Sequence, residues 1–190
     1  MVRLNKIYTR TGDTGETGLA DGSRMRKDDP LAHAIGDVDE ANCAVGLALL
    51  AISDRDVAAM LGRIQNELFD LGADIATPGE DFAPNDMALR VIQSQIDRLE
   101  TEIDRMNEEL EPLRSFILPA GESGTAQLHL ARSIARRAER SAIAASRERS
   151  VNPLVLIYLN RLSDHLFVCA RYVAIGSGGD VLWKPGATRS

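Results

Sequence analysis

Six arginines lie between residues 131 and 149 (Arg132, Arg136, Arg137, Arg140, Arg147 and Arg149), against only two acids, Glu139 and Glu148. Arg132, Arg136 and Arg140 are spaced four apart, so on a helix they share one face. Three guanidinium groups on one face repel one another unless something anionic sits opposite. Acids such as Asp37, Asp39 and Glu40 on a neighbouring helix could supply that charge. So could a polyphosphate, whose oxygens match the arginine fork. Spacing alone leaves both readings open.

Two further features bear on the choice. Residues 9 to 18 read Thr-Arg-Thr-Gly-Asp-Thr-Gly-Glu-Thr-Gly, four threonines and three glycines in ten positions. Such a run cannot be helical, and its backbone N–H groups and hydroxyls could cradle an anion or simply form a surface loop. Lys27 could reach the same anion. Further on, Asn160, Asp164 and Arg171 fall on one stripe of an otherwise apolar helix, with Phe167 between them. Buried polar groups need partners, whether a structural network or a ligand. Other chemistries lack their residues. No Gly-Lys-Ser/Thr, G-x-G-x-x-G, G-x-S-x-G or H-E-x-x-H occurs, and Cys43 and Cys169 are far apart. His33, His129 and His165 have no metal-ligand spacing, so each is expected to pack or hydrogen-bond, and no metal site is assigned.

The elements that must carry these residues are helical. Asp29-Pro30 and Asn152-Pro153 each pair an N-cap with a proline suited to the first helical position. They open a first helix running to about Ile52 and a fifth ending before Gly176. Ser53 or Asp54 caps a second, whose apolar positions Val57, Leu61, Ile64, Leu68, Leu71 and Ile75 step by three and four until Thr77-Pro78-Gly79. A third has a narrow seam at Leu89, Ile92, Ile96, Leu99, Ile103, Met106 and Leu110, with the surrounding acids read as a solvated face. The fourth, from Glu122 or Ser123 to about Ser146, carries a small-residue stripe of Ala131, Ala135, Ala138, Ala142 and Ala145 below Leu128. Val181-Leu182-Trp183 suggests a short extended piece in the tail. The expected fold is all-α: a five-helix bundle over residues 29 to 175, a Thr/Gly-rich segment over 1 to 28 and a tail over 176 to 190, in a single domain.

Length and composition agree. At 190 residues with 44% hydrophobic and only 4% aromatic content, the chain can bury one core and favours helix. A net charge of −6 argues against a nucleic-acid partner. The opening Met1-Val2-Arg3-Leu4-Asn5-Lys6 has no leader character, and no apolar run reaches membrane-spanning length. With no disulfide framework, the expectation is a soluble, cytoplasmic protein without membrane partners.

Five segments together resemble the PduO-type ATP:cob(I)alamin adenosyltransferases. They are Tyr8 to Gly15, Gly36-Asp37-Val38-Asp39-Glu40-Ala41-Asn42, Phe116-Ile117-Leu118-Pro119, Arg136-Arg137-Ala138-Glu139-Arg140, and Tyr158 to Asp164 with its Asn160-Arg161-Leu162-Ser163 centre. They occur in the family's order and span nearly the whole chain. The resemblance implies a homotrimer with ATP between adjacent subunits, transferring the 5′-deoxyadenosyl group to cobalt of cob(I)alamin, or another corrinoid, with release of triphosphate. It implies Mg²⁺ with the nucleotide, and as partners a flavin-type reductase and an adenosylcobalamin-dependent acceptor enzyme. Thr9, Arg10, Thr11, Gly12, Thr17, Gly18, Lys27, Arg136, Arg137, Glu139, Arg140 and Asn160 would hold ATP. Asp39 would pair with Arg132 across the subunit boundary. Phe116 would lie against the lower face of the corrin, so that Arg132, Arg136, Phe116 and Asp39 form the catalytic set. Arg10, Ala41, Cys43 and Ala120 depart from the usual pattern. The alternative is a non-catalytic sensor or carrier that binds ATP and corrinoid.

Overall fold

A computed structural model describes residues 7–85 and 88–189; the opening six residues, on which the leader reading rests, lie outside it. Five helices follow one another: α1 (Pro30–Leu49), α2 (Arg55–Ile75), α3 (Gln93–Asn107), α4 (Ser123–Ala145) and α5 (Pro153–Ala174). Both cap-plus-proline starts are realised, with Asp29 and Asn152 side chains accepting from the N–H groups of Leu31 and Leu154. Asp54 caps α2 through Asp56 and Val57. No described helix is long and apolar enough to cross a membrane.

The packing order is set by side-chain size. Ala131, Ala135, Ala138, Ala142 and Ala145 of α4 are fully buried, and α1 answers with Ala34, Val38, Ala41, Val45 and Ala48. Small residues on both sides let the two backbones approach closely. α1 also packs on α2, and α5 packs on α4 and α3. The larger apolar side chains, among them Leu61, Leu68, Leu99, Leu159 and Leu166, fill the centre. Each such burial contributes about 1.5–3 kcal/mol of transfer free energy. Between α2 and α3 the link is polar: Arg63 forks onto Glu102 at 2.6 and 2.9 Å, and Arg98 reaches Glu67 at 2.5 Å.

Three expectations need correction. Leu89 is exposed, and α3 begins only at Gln93, with Ile92 as its cap residue. The cause is a buried knot: Asp74 accepts from Arg90 Nη1 (2.7 Å), Val91 N (2.8 Å) and Asn152 Nδ2 (2.8 Å), which pins the preceding segment as an extended strap. The acids of α3 do not all face solvent, since Glu102 is turned inward against Arg63 and His165. The Thr/Gly segment is a run of turns and bends over residues 10–15, as a loop reading expects, but its last three residues are a strand. It leads into an antiparallel hairpin of β1 (Glu16–Gly18) and β2 (Arg24–Arg26), with Thr17 opposite Met25 and the Met25 side chain buried.

Candidate functional site

The arginine face of α4 has no internal answer. Among the described residues no acid pairs with Arg132, Arg136 or Arg140. Arg140 donates only to the backbone oxygen of Arg136, at 2.9 Å. Arg132 has a buried Nε without a partner, and its guanidinium lies 5.8 Å from the centre of the Phe167 ring. Burial, and then the neighbouring Arg136, push its pKa below the ordinary arginine value. Arg137 is different: it pairs with Asp37 at 3.2 Å and with Glu40, both on α1. Those bonds hold it more firmly charged. Of the acids named as a possible counter-charge, two therefore serve Arg137. The exposed Asp39 side chain makes no hydrogen bond or ion pair within the described chain.

Next to this face is a pocket of about 570 Å³ lined by Phe116, Ile117, Pro119, His129, Arg132 and Phe167, with Leu113 to Ser115 at its rim. Phe116 and Arg132, distant in sequence, thus meet in one cavity, and Arg136 stands one turn further along α4. Phe116 is 77% exposed, a large ring left uncovered at the mouth. His129 is buried on the same α4 face with Nδ1 unpartnered, and burial, then Arg132, lower its pKa. The sequence gives His129 only a packing or hydrogen-bonding role; its place three residues before Arg132 is the signal that could have linked it to the arginine face. Asn160 sits beside α4 and donates to Glu139 at 2.9 Å, which brings two predicted residues together. The rest of the polar stripe on α5 disperses: Asp164 pairs with Arg161, and Arg171 with Asp180.

The N-terminal segment forms a second cluster. Thr9 and Thr11 hydroxyls bond at 2.9 Å, and Arg10 between them has φ 63°, a left-handed conformation that costs a non-glycine residue about 1 kcal/mol or more. Lys27 folds over Gly12: a Cβ there would stand 3.2 Å from both Lys27 Nζ and the Glu16 backbone oxygen, so a larger residue would push the lysine or the turn aside by a few tenths of an ångström. Arg24, not singled out from the sequence, donates to Thr11 O at 2.7 Å and ties the segment to the hairpin. Thr17 and Gly18 lie in β1. Ala20 N donates to Ala76 O, and Asp29 pairs with Arg149 at 2.5 Å. The hairpin therefore sits at the end of the bundle where α2 and α4 finish. About 20 Å of α4 separates that end from Arg132. One chain does not bring its Thr/Gly segment to its own Phe116 pocket.

Residues 7–173 match the family model for cobalamin adenosyltransferase. The chain belongs to the cobalamin adenosyltransferase family. It is 50% identical to the corrinoid adenosyltransferase of Mycobacterium tuberculosis (strain ATCC 25618 / H37Rv) over 192 residues, covering 100% of this chain and 98% of that protein. It is 42% identical to the corrinoid adenosyltransferase of Bacillus subtilis (strain 168), covering 96% and 94% of the two chains. Among solved structures it resembles a variant PduO-type ATP:corrinoid adenosyltransferase from Lactobacillus reuteri, complexed with cobalamin and ATP. That match has a TM-score of 0.87 and 37% identity, covering 95% of this chain and 97% of the other. Family membership bears out the resemblance carried by the five sequence segments, and the five-helix architecture agrees with it.

Proposed function

We infer that this protein is an ATP:corrinoid adenosyltransferase. It joins the 5′-deoxyadenosyl group of ATP to the cobalt of a cob(I)alamin-type corrinoid. The electron pair on Co(I) attacks C5′, the Co–C bond forms, and the C5′–O bond breaks. Its electrons leave with the oxygen of triphosphate, and cobalt becomes formally Co(III). No proton is transferred, so the site needs neither general base nor protein nucleophile. It needs alignment, which can supply about 7–11 kcal/mol in well-oriented systems, and charge for the leaving group.

The observation that carries this reading is the unpaired Arg132, Arg136 and Arg140 face beside the Phe116 pocket. In this reading Arg136 and Arg140 receive the phosphates, while Asn160 and Glu139 fix the nucleotide beside them. Arg132 lies between phosphate and pocket, and Phe116 lies under the corrin, keeping water or a lower base off cobalt. Thr9, Arg10, Thr11, Gly12, Thr17, Gly18 and Lys27 complete the nucleotide site from a second copy of the chain. The support for assembly is physical: the Thr/Gly end and the pocket of one chain lie far apart, and Asp39 is exposed without a partner among the described residues. A homotrimer in which Asp39 meets Arg132 of the adjacent copy satisfies both facts. Among the described residues no cluster of three acid, histidine or cysteine side chains could hold a metal. Mg²⁺ arriving with the nucleotide would supply charge neutralisation for the leaving triphosphate. A reductase that delivers Co(I), an acceptor of the product and a cytoplasmic setting accord with this chemistry.

The test is an anaerobic absorbance assay with chemically reduced cob(I)alamin, Mg-ATP and purified protein. The expected result is loss of the Co(I) band with one triphosphate released per adenosylcobalamin formed. An ATP-induced rise in melting temperature without turnover would leave only a binding protein.

A further inference from the structure

Phe116 sits on an irregular linker with most of its ring in solvent, yet its proposed task demands one fixed orientation. What fixes it is the tail. Arg171, buried in the last turn of α5, holds two segments at once. Its Nε donates to Asp180 Oδ2 at 2.9 Å, and its Nη2 donates to the backbone oxygen of Glu111 at 2.8 Å. Beyond these two anchors the segments run antiparallel. Leu118 N donates to Val181 O and Trp183 N donates to Phe116 O, both at 2.8 Å, with Ile117 opposite Leu182. Ser115 Oγ closes the ladder on Trp183 O at 3.0 Å. The Phe116 and Trp183 rings then meet edge to face, 6.1 Å between centroids at 65°. So short a pairing is marginal by itself in water, and the buried Arg171–Asp180 pair is what anchors it to the bundle.

We propose that Trp183 is a positioning residue for Phe116, held in place by Arg171 and Asp180. Trp183 does not line the pocket, so it acts through the Phe116 ring and the backbone on which that ring stands. The proposal rests on the role given to Phe116. An apolar ring that displaces the lower cobalt ligand eases reduction of Co(II) and matters less once Co(I) is already made. Loss of Trp183 therefore has an uneven signature that misfolding does not produce.

The experiment compares two assays on Trp183→Ala, Trp183→Phe, Asp180→Asn and Phe116→Ala. One starts from cob(II)alamin with a reduced flavin as electron donor, the other from chemically pre-reduced cob(I)alamin. For Trp183→Ala the first rate should fall about tenfold and the second by less than about twofold, with the ATP-induced rise in melting temperature unchanged. Trp183→Phe, which keeps a ring, should return the first rate to within about threefold of the parent. Asp180→Asn leaves both rings but cuts the anchor, and should show the same imbalance. Equal losses in the two assays, or no loss from Co(II), would overturn the proposal. Phe116→Ala separates the two levels of argument. If it also lacks the imbalance, the Phe116 role and this proposal fall together; if it alone shows it, only the role of Trp183 falls.

Discussion

Two arginine clusters flank α5, and they are settled in opposite ways. Between α2, α3 and α5, Arg63 and Arg98 meet Glu67 and Glu102. Tyr158 donates to Glu67 at 2.7 Å, and His165 Nε2 lies 2.9 Å from Glu102. Both carboxylates are nearly removed from water, and every charge has an opposite charge in reach. On α4, Arg132, Arg136 and Arg140 stand in a row with no acid paired to them among the described residues. The inner cluster bridges α2 and α3, whose backbones do not touch closely, so its charges are structural cross-links. The outer row gains only the Arg132–Phe167 ring contact and one Arg140 bond to backbone, while its like charges repel one another. A row of like charges with no acid beside it is explained by an anion that arrives from outside.

Breaking each cluster should then fail differently. The largest effect falls on the outer row: Arg136→Ala should lower turnover by more than about a hundredfold, the cost of losing one preorganised charge at a leaving group. Its melting temperature without ligand should stay at or slightly above the parent's, because one repulsive partner is gone. Steady-state rates beside a thermal melt check both halves, and near-normal turnover would remove Arg136 from the site.

Next comes the inner network. Glu102→Gln should cost about 3 kcal/mol of stability while leaving turnover per folded molecule unchanged at low temperature. Burial alone would raise the Glu102 pKa, but its bonds to His165 and Arg63 hold it down to about 2, against an ordinary 4.5. The stability this carboxylate contributes is complete above pH 4.5 and is lost as pH falls towards 2. Denaturant melts at several pH values should show that acid limb in the parent and a flatter one in Glu102→Gln. If the two limbs coincide, the pair is not a cross-link.

The same contrast separates what short stretches of sequence carry from what only remote contacts decide. Helix starts are legible because a cap and a proline are local signals, and the alanine stripe of α4 because its spacing is. Leu89 matches the seam of α3 by number alone. What overrides it is Asp74, whose partners Arg90 and Asn152 lie far along the chain, and no local window contains that knot. The β1–β2 hairpin leaves no local signature because strands of three residues are too short to establish a two-residue alternation. At the site, the arginine face follows from helical periodicity, whereas the approach of Phe116 to Arg132 comes only through resemblance. Trp183 is legible as part of an extended piece but not as a neighbour of Phe116. That pairing depends on Arg171 gripping two remote segments.

Arg137 sharpens the comparison because it lies within the outer row's sequence yet is settled like the inner network. Resemblance places it with ATP beside Arg136, but its guanidinium is engaged by Asp37 and Glu40, and Ser141 also donates to Asp37. To reach a phosphate it must give up both carboxylates. The pairs are substantially exposed, so water screens them and they contribute at most about 1 kcal/mol. Arg137→Ala should therefore be the mildest of these changes, with stability lowered by less than about 1 kcal/mol and KM for ATP within about threefold of the parent. The reason it is not silent is Asp37: without Arg137 that carboxylate keeps only Ser141 and leaves more negative charge near the phosphates. Raising the salt concentration should erase most of the difference, since an exposed charge effect is screened while a direct phosphate contact persists. A loss in KM or turnover comparable with that of Arg136→Ala, and retained at high salt, would instead place Arg137 in the unpaired row.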